Sequence, residues 1–212
     1  MQTFSLRIRI AIVVAVLALV WFLWPHARVD HLTSRTGPLV VLGDSLAAGY
    51  GSETQKGYVA VLQQRLKVDL INRGVSGDTT AQGLARLDKD VLSLDPALVV
   101  VELGGNDFLQ KVPLEVTFAN LDTIVTRIQS KRAAVLLLGS QSGLFGDKAA
   151  APYLELARRR HTGYVANILE GILTRADLKA DAIHPNDRGY EAMADRIEPE
   201  LRWMLRKMRR LR

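Results

Sequence analysis

The chain has 212 residues, 48% of them hydrophobic and 24% charged, and carries a formal net charge of +6. These values are typical of one globular domain with a full core, and they argue against disorder except at the ends. The absence of cysteine excludes disulfides and thiolate metal sites, and four histidines without a His-x-x-x-His pair argue against a dedicated zinc site.

The first predicted element is an unbroken apolar run over residues 10–24, which follows Arg7 and Arg9 and stops at Pro25. Its length lies between the core of a signal peptide and a helix that spans a membrane. Because no small-residue cleavage site follows, we predict an uncleaved anchor, with a cleaved signal or a buried helix as alternatives. The two arginines favour an N-terminus that stays inside the cell.

Interfacial aromatics support the same interpretation, since Trp21 and Trp24 lie at the far end of the run. We therefore predict a signal anchor over residues 1–24, a polar linker over 25–36 and a single folded domain over 37–212. In a bacterial cell the domain would face the periplasm from the inner membrane, or be secreted to the periplasm after cleavage.

From residue 37 onward, short apolar runs alternate with stretches of helical spacing. The predicted strands are Pro38–Leu42, Val68–Asn72, Ala97–Leu103, Ala134–Leu138 and a weak one at Tyr164–Ile168. The predicted helices are Tyr58–Lys67, Thr79–Leu92 with Asp78 as N-cap, Pro113–Lys131, Pro152–Arg160 and a last one from Asp187. This order predicts an α/β fold with a parallel sheet that helices cover on both faces.

Three short strings carry candidate chemistry: Gly43-Asp44-Ser45-Leu46, Gly104-Gly105-Asn106-Asp107 and Asp181-Ala182-Ile183-His184. Each follows a predicted strand or precedes the last helix. In parallel sheets such loops meet beyond the carboxyl ends of the strands, where ligands bind. Alone, each string is a common turn or cap; together they predict one site.

The residue types in these strings suit acyl transfer. Ser45 can be a nucleophile if His184 removes its proton, and Asp181 can hold the imidazole in the required tautomer. The backbone N–H groups of Ser45 and Gly77 and the amide of Asn106 are candidate donors to a tetrahedral oxyanion. We interpret Asp44 and Asp107 as residues that hold loop geometry.

Much of the positive charge lies at the C-terminus. Its basic residues are Arg196, Arg202, Arg206, Lys207, Arg209, Arg210 and Arg212. Apolar residues at helical spacing, such as Ile197, Leu201 and Met208, predict that this helix buries one face and leaves the basic face in solvent. Binding to nucleic acid or to an anionic membrane surface is the alternative.

These strings resemble the blocks of the SGNH (GDSL) hydrolase family, most closely its bacterial thioesterase I, lysophospholipase L1 and arylesterase type. The similar segments are 41–50, 72–79, 83–87, 101–107 and 181–186, and the resemblance covers essentially all of 38–202. It implies a flavodoxin-like three-layer sandwich with a five-stranded parallel sheet of order 2-1-3-4-5. It also implies Ser45, Asp181 and His184 as the catalytic triad, with Ser45, Gly77 and Asn106 as the oxyanion hole.

The resemblance further implies a serine esterase that cleaves carboxylic esters or thioesters through an acyl-enzyme on Ser45, with no metal and no organic cofactor. Apolar substrate contacts are expected from Phe108, Leu109, Leu144 and Phe145. The expected partners are an acyl-ester small molecule or lipid and, through the N-terminal helix, a membrane. Lysophospholipids are attractive substrates, because the anchor and the basic tail would hold the site near lipid.

Three other functions stay open at this point. A carbohydrate esterase that removes acetyl groups from an exported polysaccharide could use the same fold. A flavin-binding module would explain the first loop but not the Asp-x-x-His string, and an idle interaction domain would need no intact set of catalytic residues. The natural substrate, its chain length and the oligomeric state are not predicted.

Overall fold

The computed structural model describes residues 29–32, 36–54, 57–140 and 149–210. The predicted anchor over residues 1–24 and most of the predicted linker lie outside these ranges. Among the helices of the described ranges, none has both the length and the apolar character that crossing a membrane requires.

Five parallel strands form a single sheet in the order β2-β1-β3-β4-β5. The strands are β1 (Leu39–Gly43), β2 (Leu70–Gly74), β3 (Leu98–Glu102), β4 (Ala134–Leu138) and β5 (Gly163–Val165). This result confirms the predicted parallel sheet and its order. The strands at the centre of the sheet, β1, β3 and β4, are almost wholly buried, as expected for strands covered on both faces.

Helices follow the strands and pack on both faces. The helices are α1 (Ser45–Ala48), α2 (Tyr58–Leu66), α3 (Thr80–Asp90), α4 (Gly105–Leu109), α5 (Leu114–Ser130), α6 (Ala150–Arg160) and α7 (Asp187–Arg210). Short 3₁₀ turns lie at Leu92–Leu94 and Ala176–Leu178. Pro113 immediately precedes the first turn of α5, where its missing N–H costs nothing.

The core consists of two hydrophobic clusters, one on each face of the sheet. One cluster joins strand residues such as Val41 and Val100 to α2 and to the apolar stripe of α7, including Ile197. The other joins the alternate strand residues, such as Val40, to α3, α5 and α6. Each fully buried aliphatic side chain contributes about 1.5–3 kcal/mol. The expected three-layer sandwich is therefore present.

Two strands are displaced from the sequence prediction because turns occupy part of the apolar run. Lys67 ends α2 in the left-handed conformation, so the chain needs Val68 and Asp69 before β2 can pair with β1. The last strand ends at Val165, and the backbone then turns around Gly139, which accepts from Ile168 N–H. Ile168 is buried in the core from a loop.

The predicted N-cap of the second long helix is wrong by one residue. Thr79, not Asp78, caps α3, and it forms a capping box in which Gln82 bonds back to the Thr79 N–H. Asp78 instead accepts from Arg86 Nε at 2.6 Å, while another nitrogen of Arg86 donates to the Gly43 carbonyl. The arginine thus ties the end of β1 to the loop after β2.

Candidate active site

Ser45 opens the short helix α1 directly after β1. Asp44 caps this helix by accepting from Leu46 N–H at 2.9 Å, and Gly49 ends it in the left-handed conformation. Ser45 is only 9% exposed. The tight cap fixes the serine at the first turn of a helix, where unpaired N–H groups favour negative charge.

His184 lies on a closed loop that enters α7. Lys179 and Pro185 form an antiparallel bridge, and Ala180 N–H donates to the His184 carbonyl at 2.9 Å. Asn186 secures the base of this loop by donating to the carbonyls of Asp177 and Lys179. The loop therefore presents the imidazole from a backbone that is bonded at both ends.

The three predicted triad residues meet in this structure. His184 Nε2 lies 3.0 Å from Ser45 Oγ, and His184 Nδ1 lies 2.8 Å from Asp181 Oδ2. The other carboxylate oxygen of Asp181 accepts from the N–H groups of Ile183 and His184, both at 2.8 Å. With Nδ1–H donated to Asp181, Nε2 is left to accept the serine proton.

The environment of Asp181 keeps it ionised. Partial burial works against the charge, but the hydrogen bonds from Ile183 N–H and from the ring and N–H of His184 outweigh it, so the pKa of Asp181 lies below its usual value. Its side chain is 44% exposed, whereas that of His184 is 14% exposed. A permanent carboxylate beside the ring stabilises the imidazolium that forms when the serine loses its proton.

Tyr50 is a site residue that the sequence reasoning missed. Its ring lies 4.5 Å from the imidazole of His184, at an interplanar angle of 52°. The backbone of Tyr50 is held in turn, because its carbonyl accepts from Tyr190 Oη of α7 at 2.6 Å. Tyr50 follows the Gly-Asp-Ser string closely in sequence, but only the fold places it on the ring of a histidine 134 positions later.

Asn106 reaches the same site from α4. Its Nδ2 donates to Asp44 Oδ2 and to the Asp78 carbonyl, both at 3.0 Å. To donate to a bound oxyanion, the Asn106 amide would therefore give up its hydrogen bond to one of these two acceptors. Gly77 precedes Asp78 in a left-handed conformation, φ +88°, and a side chain there would meet no atom within 4 Å.

A buried pair of carboxyl groups lies behind the nucleophile. Glu102 is fully buried at the end of β3, and its Oε2 is 3.4 Å from the N–H of Asp44, which is 2% exposed. Burial raises the pKa of Asp44 to about 6 and raises that of Glu102 well above its ordinary value, to which the neighbouring Asp44 charge adds. Burial therefore favours the protonated form of Glu102.

Asp107 has a structural role, as predicted. It is 1% exposed and accepts from the N–H and the hydroxyl of Thr80, at the start of α3. The hydroxyl of Thr117 in α5 points to the same carboxylate. This network joins three elements behind the site, so Asp107 fixes the position of its neighbour Asn106.

A small open cleft lies beside Ser45 and His184. Its apolar lining comes from four elements or loops: Leu46, Leu109, Leu169, Leu173 and Ile183. Of the residues predicted to contact substrate, Leu109 lines the cleft and Phe108 does not; Leu144 and Phe145 lie outside the described residues. The sequence reasoning missed Leu169 and Leu173, because they lie in a loop after β5 and carry no motif.

In the described ranges, no three or more His, Asp or Glu side chains group in a way that could hold a metal ion. His161 is 41% exposed at its side chain and pairs with Asp30 at 3.0 Å.

A serine hydroxyl bonded to an imidazole that a carboxylate orients is the arrangement of serine hydrolases. The parallel sheet, with these groups at its carboxyl edge, places the protein in the α/β group of that class. Residues 41–192 match the model of the GDSL-like Lipase/Acylhydrolase family. The chain belongs to this family and is a serine hydrolase that acts on ester bonds.

Characterised relatives cover most of the same region. The chain is 35% identical to esterase TesA of Pseudomonas aeruginosa over 79% of its own length and 89% of the relative. It is 32% identical to an arylesterase of Vibrio mimicus, over 77% of the chain and 87% of the relative. It is 30% identical to the thioesterase 1/protease 1/lysophospholipase L1 of Escherichia coli K12, over 77% and 82%. A crystal structure of TesA superposes with a TM-score of 0.69, covering 79% of this chain and 99% of that one.

Proposed function

We propose that Ser45, His184 and Asp181 form a catalytic triad that hydrolyses carboxylic esters or thioesters of apolar acyl groups. The observation that carries the proposal is the chain of contacts from Ser45 Oγ through the imidazole to Asp181, at 3.0 and 2.8 Å. The names of the relatives, an esterase, an arylesterase and a thioesterase/lysophospholipase, support this range of bonds.

In the acylation step, Ser45 Oγ forms a bond to the substrate carbonyl carbon while its proton passes to His184 Nε2. The tetrahedral intermediate collapses as the C–O or C–S bond to the leaving group breaks and His184 returns the proton to the alcohol or thiol. Water then attacks the acyl-enzyme by the same proton route, releasing the acid and Ser45.

The negative charge of each tetrahedral intermediate needs donors. We assign this role to the N–H groups of Ser45 and Gly77 and to the amide of Asn106. Asn106 lines the cleft, and Gly77 belongs to the loop whose next carbonyl already accepts from Asn106. Binding of the oxyanion would replace the bond from Asn106 to that carbonyl, so the donor strengthens its interaction as charge develops.

The apolar lining favours acyl chains over acetyl groups alone. Leu46, Leu169 and Leu173 border the cleft beside Ser45 with apolar side chains, while Asn106 and Ser140 supply polar groups to the same lining. Each methylene that enters such a lining contributes about 0.8 kcal/mol. We therefore expect kcat/KM to rise with acyl length before the cleft is filled, which a deacetylase would not show.

The test compares purified full-length wild type, Ser45→Ala and Ser130→Ala proteins on aryl esters of graded acyl length and on a lysophospholipid. Ser130 is an exposed residue at the end of α5, whose hydroxyl bonds to its own helix. We expect Ser45→Ala to lose about 10⁴-fold or more in kcat and Ser130→Ala to match wild type. Unchanged hydrolysis by Ser45→Ala would refute the proposal, and a fluorophosphonate that labels wild type but not this variant would report the activated serine.

We propose further that residues 1–24 anchor the domain 37–212 through a linker, 25–36, in a bacterial inner membrane, with the domain in the periplasm. The apolar run with Arg7 and Arg9 before it supports this topology. Extraction of cell membranes with carbonate should leave the protein in the pellet. Protease added to spheroplasts should digest the domain, and protection would reverse the orientation.

A further inference from the structure

The charged side chains of the domain are divided between two ends of the sheet. Because all five strands are parallel, the helices that connect them return to the amino edge, opposite the edge that carries Ser45. The ends of these helices are basic. The exposed basic residues at or just after helix ends are Lys67, Lys89, Lys131, Arg132, Arg158, Arg206, Lys207 and Arg209. We call this surface the basic pole.

Helix α7 connects the two ends directly. It begins at Asp187, whose carboxylate bonds to Ser52 near the site, and runs for 24 residues, a length of about 36 Å. Its last turns, at Met208 and Arg209, meet the starts of the first three strands around Gly37, Val68 and Ala97. The basic tail therefore lies at the far end of the domain from Ser45.

Exposed carboxylates near the catalytic edge are Glu53, Glu115, Asp177, Asp181 and Glu191. At the basic pole, Asp122 holds Arg159 and Arg160, and Asp88 holds Arg127. Asp69 and Asp95, just before β2 and β3, also lie at this pole. Within the described residues, the basic side chains of the pole outnumber its carboxylates, so this end of the domain carries an excess of positive charge.

The chain enters the domain at the basic pole. Asp30 N–H donates to the carbonyl of His161, at the end of α6, and the Asp30 carboxylate pairs with its ring. Gly37 borders the same groove as Arg209. The described residues that follow the apolar run in sequence, Asp30 and Gly37, therefore lie on the side of the domain where its positive charge is gathered.

We propose that the basic pole binds the surface of an anionic lipid bilayer and so turns the Ser45 cleft toward the aqueous phase. The neighbouring apolar run selects a bilayer over a nucleic acid as the occupant, since both features are then used by one partner. The distance of about 36 Å along α7 exceeds the Debye length of about 8 Å at physiological salt, so the catalytic edge lies outside the attraction. This inference uses no catalytic step and is independent of the proposed hydrolysis.

The arrangement changes the expectation that the basic tail holds the site near lipid. The tail holds the opposite end of the domain near lipid, so substrate approaches from the aqueous side. A bound enzyme would hydrolyse dispersed esters without extracting them from the bilayer to which it is attached.

The absence of cysteine allows a direct test, because one introduced cysteine labels one position. Full-length protein with Lys89→Cys, at the basic pole, or Glu115→Cys, at the catalytic edge, carries a fluorophore. The two proteins are mixed with phosphatidylcholine vesicles, with or without about one-third phosphatidylglycerol, that contain a headgroup-attached quencher. Aryl-ester hydrolysis is measured in parallel as a separate readout of the site.

We expect phosphatidylglycerol to increase quenching at position 89 but not at position 115. Salt at 0.5 M should remove this difference, because the Debye length then falls to about 4 Å. The triple change of Arg206, Lys207 and Arg209 to Gln should also remove it while hydrolysis stays at the wild-type rate. The matched control changes Lys111, Arg175 and Arg188, exposed basic residues near the catalytic edge, and should leave it intact.

Equal quenching at both positions, stronger quenching at 115, or a difference that survives the triple change would overturn the inference. Salt-dependent binding of RNA or duplex DNA by the basic pole, without any effect of phosphatidylglycerol, would overturn it in favour of a nucleic acid. If none of the full-length proteins hydrolysed aryl esters while the expected pattern of quenching held, the inference about the basic pole would stand and the proposed role of Ser45 would fail.

Discussion

Two carboxylates act around Ser45 in opposite environments. Asp181 lies on a half-exposed loop and is held as an anion by N–H donors, so its pKa is lowered. Glu102 lies fully buried behind the serine, where desolvation raises its pKa well above the ordinary value. The difference teaches that solvent and hydrogen-bond donors set the charge preference of an acid: the surroundings of Asp181 favour the anion, and burial of Glu102 favours the protonated form.

The largest effect should come from the anion on the loop. In Asp181→Asn the amide cannot act as the ionised acceptor of the His184 Nδ1–H, so the imidazole loses its tautomer and orientation. We expect kcat for aryl-ester hydrolysis to fall about 10⁴-fold with little change in KM. Asp177→Asn is the matched control, since this exposed aspartate of the same region pairs with Arg175 and Arg188 but not with the histidine. Wild-type kcat in Asp181→Asn would show that the carboxylate has no role in catalysis.

The next largest effect should come from Asn106, whose amide donates to Asp44. Asn106→Ala removes the amide that the cleft presents to an oxyanion and should lower kcat about 10²–10³-fold. Asn106→Asp should be nearly as slow above pH 6, because an ionised carboxylate cannot donate. Gln110→Ala, an exposed change just beyond α4, is the control. If Asn106→Ala altered KM alone, the amide would contribute to binding of substrate and not to the transition state.

A change at Glu102, in the buried pair, should alter the free energy of unfolding and its dependence on pH. The folded pKa of Glu102 is raised, so the folded protein holds a proton that the unfolded chain releases above its ordinary pKa of 4.5. The stability that Glu102 contributes is fully present below pH 4.5, and it is lost as the pH rises toward the pKa of Glu102 in the folded protein. Glu102→Gln, which stays neutral, should therefore gain about 1–3 kcal/mol relative to wild type between pH 5 and pH 8.

Denaturant unfolding at several pH values measures this gain, and Glu115→Gln, an exposed change in the first turn of α5, should show none. Parallel pH dependence of wild type and Glu102→Gln would mean that Glu102 does not carry the proton. The variant should retain catalysis, because the amide oxygen of glutamine can still accept from the Asp44 N–H.

The smallest effect should come from the N-cap of α3. Thr79→Ala removes the side-chain half of the capping box on α3 and should lower the free energy of unfolding by about 1 kcal/mol. Thr123→Ala, an exposed threonine within α5 that bonds only to the Ala119 carbonyl, is the control. If Thr79→Ala left the free energy of unfolding unchanged, the capping box would not stabilise α3.

The Asp181 loop was readable from sequence because its two catalytic groups are three positions apart and a proline follows the histidine. The Glu102 pair was not, since its partners come from β1 and β3 and no local rule joins Asp44 to a residue 58 positions away. Phe108 and Leu109 show the same limit: adjacent positions received the same prediction, but only Leu109 turns into the cleft.

The sequence by itself determined the parallel α/β architecture, because each buried strand is a short apolar run and each helix carries a stripe of apolar residues. It also determined which serine, histidine and aspartate could meet. The tertiary structure alone decided the raised pKa of Glu102, the contact of Tyr50 with the imidazole, and the separation of the basic tail from Ser45. Periodicity and motif spacing are local properties of a chain, whereas burial, charge state and polarity of the whole domain arise only when distant segments exclude water from one another.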